Sequence, residues 1–202
     1  MPERAYHHGN LRSALLEGAE RTVRERGVAA LSLRELARDV GVSHGAPRRH
    51  FPDRRALLDA LAEKGFERLG QQLQAAVDGA GGGFDERLQA LAHAYVAFAT
   101  RDAALLELMF ASKHRDGADA TRAAAERAFA IPLTVIAAAQ RDAAVVAGDP
   151  EALARVAFAI LHGLATMANG EMLGDDDLGA IVADAVERLL AGLRPRATVS
   201  RA

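Results

Sequence analysis

Residues 32–61, SLRELARDVGVSHGAPRRHFPDRRALLDAL, constrain the fold of this chain more than any other stretch. Ser32 stands three residues before Glu35, the spacing of a capping box in which each side chain satisfies the other's free backbone N–H. Leu33, Leu36, Ala37 and Val40 then share one helical face, and Gly41 marks a stop. A second short helix is predicted from near Ser43 to about His50, with Pro47 in its first turn, where a missing N–H costs little. Pro52 and Asp53 end it and cap a longer helix, predicted from Arg54 to about Asp78. Two short helices about a tight glycine turn, the second of them basic, form the layout that presents one helix to a duplex groove.

The remaining segments are helical in period as well, and none reads as a convincing strand. Leu11, Ala14, Leu15, Gly18, Ala19, Thr22 and Val23 form one apolar stripe that ends at Gly27. Residues 79–83, GAGGG, form the clear linker; a helix precedes them, so they do not read as a phosphate cradle. Amphipathic stretches follow at about 85–101, 103–114, 119–147, 150–169 and 177–193. Asp85, Asp102, Asp119, Asp149 and one of Asp175 to Asp177 are the expected N-caps, with Pro150 in the first helical position after Asp149. Pro132 is expected to kink or split the long middle helix. The fold class is therefore all-α: an N-terminal three-helix bundle with a helix-turn-helix, followed by a larger helical body, to which the family resemblance described below assigns ligand binding and dimerisation. The expected domains are 1–53 for DNA binding, 54–78 as a connecting helix and 84–194 as the C-terminal domain, with 195–202 a disordered tail.

The net charge of −2 argues against a nucleic-acid partner only until its distribution is considered. Residues 1–68 hold 13 Lys and Arg against 10 Asp and Glu, a net of +3; the remainder holds 12 against 17, a net of −5. The excess sits where the basic helix is. Cysteine is absent, which excludes disulfides and thiolate-bound metals. His7 and His8 are adjacent in an N-terminal arm, no His pair is spaced i, i+4 around a Glu, and no Ser stands in a nucleophile elbow. No catalytic residue, metal site or cofactor is expected. No segment holds the roughly 20 unbroken apolar residues of a membrane helix, and the N-terminus lacks an apolar signal core, so the expectation is a cytoplasmic protein.

On the basic helix, Ser43, His44 and Gly45 are small or polar at its start, and Arg48, Arg49 and His50 follow. Small residues let a backbone sit deep in a groove, while long cations reach phosphates or guanine edges. Arg54 begins the next helix, where free N–H groups already favour a phosphate. The stretch from about Leu11 to Leu61, with LSLRELA, GVSHGAP, RHF and RALLDAL, closely resembles the N-terminal domain of the TetR family of transcriptional repressors. The resemblance implies that Arg34, with Ser32 beside it, reaches a base or phosphate. It implies that Ser43, His44 and Gly45 face the groove, that His50 and Arg54 face the DNA backbone, and that Arg4 contributes from an arm. Arg48 departs from the family, which usually has an aromatic residue there. Arg54 replaces the more usual Lys.

The same resemblance implies a homodimer on a pseudo-palindromic operator, released when a small molecule enters the C-terminal body. The residues agree in part. Leu153, Val156, Ile160, Leu161, Leu164 and Met167 in 150–169, and Leu178, Ile181, Val182, Val186, Leu189 and Leu190 in 177–193, exceed what one chain of this size needs to bury. The segment AFAILHGLATM, 157–167, resembles the His-Gly-bearing helix of one C-terminal class of the family, as YHHGNLRSALLEGA resembles its opening. Candidate ligand contacts, for an apolar or aromatic effector, are Tyr95, Phe98, Met109, Phe110, Phe129, Phe158 and His162. Two other readings stay open at this point: a DNA-binding regulator without a small-molecule sensor, and an all-α binding protein or enzyme with incidental basic helices.

Overall fold

The computed structural model describes residues 11–174 and 176–194, so Arg4, His7, His8, Asp175 and the tail at 195–202 lie outside the described residues. The helices are α1 (Leu11–Arg26), α2 (Leu33–Val40), α3 (Arg54–Gly79), α4 (Phe84–Arg101), α5 (Ala103–Lys113), α6 (Asp119–Arg141), α7 (Pro150–Asn169) and α8 (Leu178–Leu193). Two 3-10 turns, Val28–Ala30 and Pro47–Arg49, lie among them. There is no strand among the described residues, and the chain is all-α as its periodicity predicts. The contacts divide it into two units. The first runs to Phe66 and includes Asp102–Ala125; the second comprises Glu67–Arg101 and the chain from Glu126 onward. The sequence suggests a break at GAGGG, but the division instead falls inside α3 and α6, and α5 belongs to the first unit.

In the first unit α1 is the central helix, packing on α2, on α5 and on both 3-10 turns. Its buried stripe is Leu11, Leu15, Leu16, Gly18, Ala19, Thr22 and Val23. Gly18 is small for a reason: a Cβ there would lie 3.2 Å from Cδ2 of Leu36 on α2. Gly27 and Gly41 end α1 and α2 with φ of 76° and 75°, the left-handed region that side chains disfavour. Gly65 sets the approach of α3 to α5, since a Cβ there would fall 2.6 Å from Sδ of buried Met109.

Some local expectations are corrected. Ser32 occupies the N-cap of α2 but makes no side-chain capping bond, so the Ser32–Glu35 box is not formed. The second helix of the motif is not an α-helix but a turn at 44–46 followed by the 3-10 turn Pro47–Arg49. Pro47 has no N–H to return to Ser43, and most of the hydrogen bonds close over three residues, with one from Phe51 to Pro47 over four at 2.8 Å. Ala46 donates to Ser43, Arg49 to Ala46 and His50 to Pro47, at 3.0, 3.2 and 3.0 Å. Pro132 does not split α6, which continues through it to Arg141.

In the second unit α4 packs against α7 and α8, and α7 against α8. Val182, Val186 and Leu190 of α8 are buried, as are Ala157, Leu161 and Ala165 of α7. Asp149 and Asp177 cap these two helices, accepting from Glu151 N–H and Gly179 N–H at 2.9 Å each. Gly70 of α3 lets the α6 backbone approach, with a would-be Cβ 3.4 Å from Cα of Ala128. α7 is long and apolar enough to span a membrane by length and composition, although Glu151, Arg155 and His162 interrupt it.

Candidate functional site

The predicted DNA-facing residues are brought to the surface of the first unit together. Arg34 projects from α2; Ser43, His44 and Gly45 occupy the turn after it; Arg48 and Arg49 lie on the 3-10 turn and His50 ends it. All of these are exposed, and Ser32 is partly so. Beneath them Leu36, Ala37, Pro47 and Phe51 are buried and anchor the segment to α1. Arg34, Arg48 and Arg49 make no hydrogen bond or ion pair among the described residues, so their charge is directed outward. Arg38, which no sequence motif singles out, is exposed beside them, 3.7 Å from Asp39.

Gly45 is informative because nothing in the fold demands it. Its backbone is not left-handed, and a Cβ added there would meet nothing within 4 Å. Arg54 is exposed and also bonds within the fold. Its Nε donates to the Leu31 carbonyl at 2.9 Å and its Nη2 to the Val28 carbonyl at 2.6 Å, so two of its donors are turned inward. A further cation missed in the sequence is Arg12, whose guanidinium lies 5.4 Å from the centroid of the Phe51 ring. It stands 39 positions from Phe51, and no local spacing reveals such a pair.

The candidate effector residues separate into two groups. In the second unit Tyr95, Phe129, Phe158 and His162 form one ring cluster. The Phe158 ring stacks on His162 at 5.3 Å and 15°, while Tyr95 and Phe129 meet it edge-on at 5.4 and 5.6 Å. The Tyr95 hydroxyl and His162 Nδ1 are hydrogen-bonded at 2.9 Å. Burial pushes the Tyr95 phenol above its ordinary range, so the hydroxyl stays protonated. Phe98 is fully buried in the same unit, with the Arg68 guanidinium 5.0 Å from its centroid. Met109 and Phe110 are placed elsewhere, in the first unit. Met109 packs on Gly65, and Phe110 meets Phe66 edge-on at 5.9 Å with the Lys113 ammonium 4.5 Å above its ring. Burial there lowers the Lys113 pKa. No group of metal-ligating side chains occurs among the described residues.

With this geometry in view, comparison with known proteins places the chain. Residues 15–61 match the bacterial regulatory proteins of the tetR family, and residues 88–193 match the tetracyclin repressor-like C-terminal domain. The chain belongs to the TetR family. A protein of unknown function from Rhodococcus sp. RHA1 is 44% identical, with a TM-score of 0.90 over 96% of this chain and 100% of that one. The TetR family transcriptional regulator PfmR from Thermus thermophilus shares the fold at 17% identity, with a TM-score of 0.69 over 90% of this chain and 99% of that one. The transcriptional regulator FadR from Bacillus subtilis, in complex with stearoyl-CoA, does so at 13% identity, with a TM-score of 0.72 over 90% and 99%. No curated protein matches the chain. This TetR-family chain carries the DNA-binding fold of transcriptional regulators, which are not enzymes.

Proposed function

We propose that this chain is a cytoplasmic repressor that binds a pseudo-palindromic operator as a homodimer and is released by an apolar or aromatic small molecule. The observation that carries the DNA contact is the exposed set Arg34, Ser43, His44, Gly45, Arg48, Arg49 and His50, with three arginines lacking partners among the described residues and a glycine lacking a packing reason. Ser32, whose hydroxyl does no capping, and Arg4 of the N-terminal arm join that surface in this reading. Arg48 supplies a phosphate contact as a cation where relatives of this family use an aromatic. For the dimer, the support is the face of α7 on which Val156, Ile160 and Met167 are 54%, 37% and 40% exposed. Residues spaced by four and seven lie on one helical side, which is the side a second copy would cover. For the effector, the support is the Tyr95–His162 pair, a polar handle set among Phe129 and Phe158. The stearoyl chain of the stearoyl-CoA held by the Bacillus subtilis FadR is apolar, the character proposed for the effector here.

A fluorescence-anisotropy titration against fragments of the source genome, at two salt concentrations, tests the reading. Sequence-specific binding that weakens steeply with salt is expected. Arg49→Ala and His44→Ala should each weaken operator binding by about 1–3 kcal/mol while the dimer stays intact. Unchanged affinity in both would remove the 3-10 turn from the interface. The second reading, a regulator without a small-molecule sensor, is favoured by the way the four rings already cover one another's faces. It predicts that no compound releases the operator and that His162→Leu leaves regulation unaltered.

A further inference from the structure

Arg54 opens α3, the helix whose first turn Asp53 caps by accepting the Ala56 N–H at 2.8 Å. A cation at that end of a helix faces the positive pole of the helix dipole, an unfavourable place for it. The guanidinium is not left there. Its Nε and Nη2 reach across 23 and 26 positions of chain to the Leu31 and Val28 carbonyls. The Val28 carbonyl closes the 3-10 turn Val28–Ala30 by accepting the Leu31 N–H at 3.2 Å and takes Arg54 as a second donor, while the Leu31 carbonyl belongs to the residue that follows the turn. The pairing sets a positive group against the negative end of one element instead of the positive end of another.

The clamped Leu31 matters because of its neighbours in the chain. Leu31 is buried and directly precedes Ser32, whose extended backbone begins α2 without any side-chain cap. Beyond the backbone bond from Leu36 N–H to the Ser32 carbonyl, the start of α2 is thus held by Leu31 packing and by Arg54, and not by the Ser32 hydroxyl. α2 carries Arg34, and the turn after it carries His44 and Gly45. We infer that Arg54 is a positioning residue for DNA recognition: it locks the entry of α2 to the first turn of α3 and so sets the reading surface, and it does not act by neutralising a phosphate. Two donors on adjacent nitrogens, aimed at two separate carbonyls, are what a guanidinium provides and a single ammonium does not.

The inference rests on the DNA-binding reading, and its test separates the two. A fluorescein-labelled duplex enriched by the wild-type protein from a random-sequence library serves as probe. Its Kd is measured over a series of salt concentrations for wild type, Arg54→Lys and Arg54→Ala, alongside helical content and dimer mass under the same conditions. A positioning role predicts that both variants stay folded and dimeric and bind about tenfold more weakly. It also predicts a salt slope equal to that of wild type, because no phosphate contact is lost. Lysine, with the same charge, does not rescue. A slope lowered by about 0.9 per lost contact in Arg54→Ala, restored by Arg54→Lys, is the signature of phosphate neutralisation and overturns the inference. Wild-type affinity in Arg54→Lys overturns it too, as does loss of helical content in Arg54→Lys, which would make the role one of folding alone. If wild type enriches no duplex, the DNA-binding reading itself fails, a result none of the variant outcomes resembles.

Discussion

At the scale of single residues, the most consequential pair is one the sequence spacing conceals. Asp102 occupies the N-cap of α5, as expected, but makes no capping bond there. Its carboxylate is buried and accepts from Arg24 Nε at 2.9 Å and Nη2 at 2.7 Å. The hydrogen bond from Arg24 to Asp102 holds the Arg24 pKa above its ordinary value against the opposing effect of burial, and Glu20 at 2.9 Å adds to it. Removing the arginine takes two hydrogen bonds and the opposite charge from a buried carboxylate, whereas removing the carboxylate leaves a guanidinium that still has Glu20 and water. Arg24→Met should therefore cost about 2 kcal/mol, less than the loss for a fully buried pair because the Arg24 side chain is 40% exposed. Asp102→Asn should cost less than Arg24→Met. Urea titrations of both variants measure this, and a larger loss in Asp102→Asn would contradict the stranded-charge account. In the second unit, Tyr95→Phe leaves His162 Nδ1 without its partner at 2.9 Å. The effector-release assay should register that change more strongly than operator affinity does.

At the scale of elements, the helices α7 and α8, with a regular apolar stripe and a formed aspartate cap, were legible at the level of single residues. Asp85 and Asp119, expected as caps, instead lie within the first turns of α4 and α6. α7 begins at Pro150 after the Asp149 cap and ends at Asn169, the predicted span. α8, capped by Asp177, ends at Leu193 as predicted. The errors arose where one residue's backbone chemistry competes with the pattern. Pro47 converts the second helix of the motif into a 3-10 turn, while Pro132 is absorbed within a helix continuous to Arg141. The allegiance of α5 was not legible at all, because Arg24–Asp102 and Gly65–Met109 join residues 78 and 44 positions apart. Two glycines turn this into a prediction. Gly65→Leu forces α3 away from α5 and should destabilise by about 2–3 kcal/mol, the cost of overpacking a filled core. Gly45→Ala meets nothing within the fold and should shift stability by less than about 0.5 kcal/mol. The same Gly45→Ala change should weaken operator binding, which thermal melts and anisotropy on one preparation would separate.

At the scale of the whole molecule, the proposed assembly depends on the exposed side of α7. A charge in the middle of that face, as in Ile160→Glu, should convert the dimer to monomer in sedimentation velocity with the helical content retained. Operator affinity should fall at least tenfold with it, because two half-sites are then read by separate chains. A variant that remains dimeric would exclude the Val156–Ile160–Met167 face as the seam. Gly163 lies on this stretch of α7, and a Cβ there meets nothing within 4 Å among the described residues. Gly163→Leu therefore tests the same seam by bulk instead of charge.

The placement of α5 has a practical consequence. The head that carries the basic surface is not one continuous length of polypeptide: it takes residues up to Phe66, leaves the chain for 35 residues, and regains it at Asp102. No single proteolytic cut can release that head whole. A fragment ending at the glycine linker would present Gly65, Phe66 and the α1 face to water without Met109, Phe110 or Asp102 to cover them. Such a fragment should express as an aggregating or partly unfolded chain. Adding residues 102–125 back as a separate peptide should restore its cooperative melt.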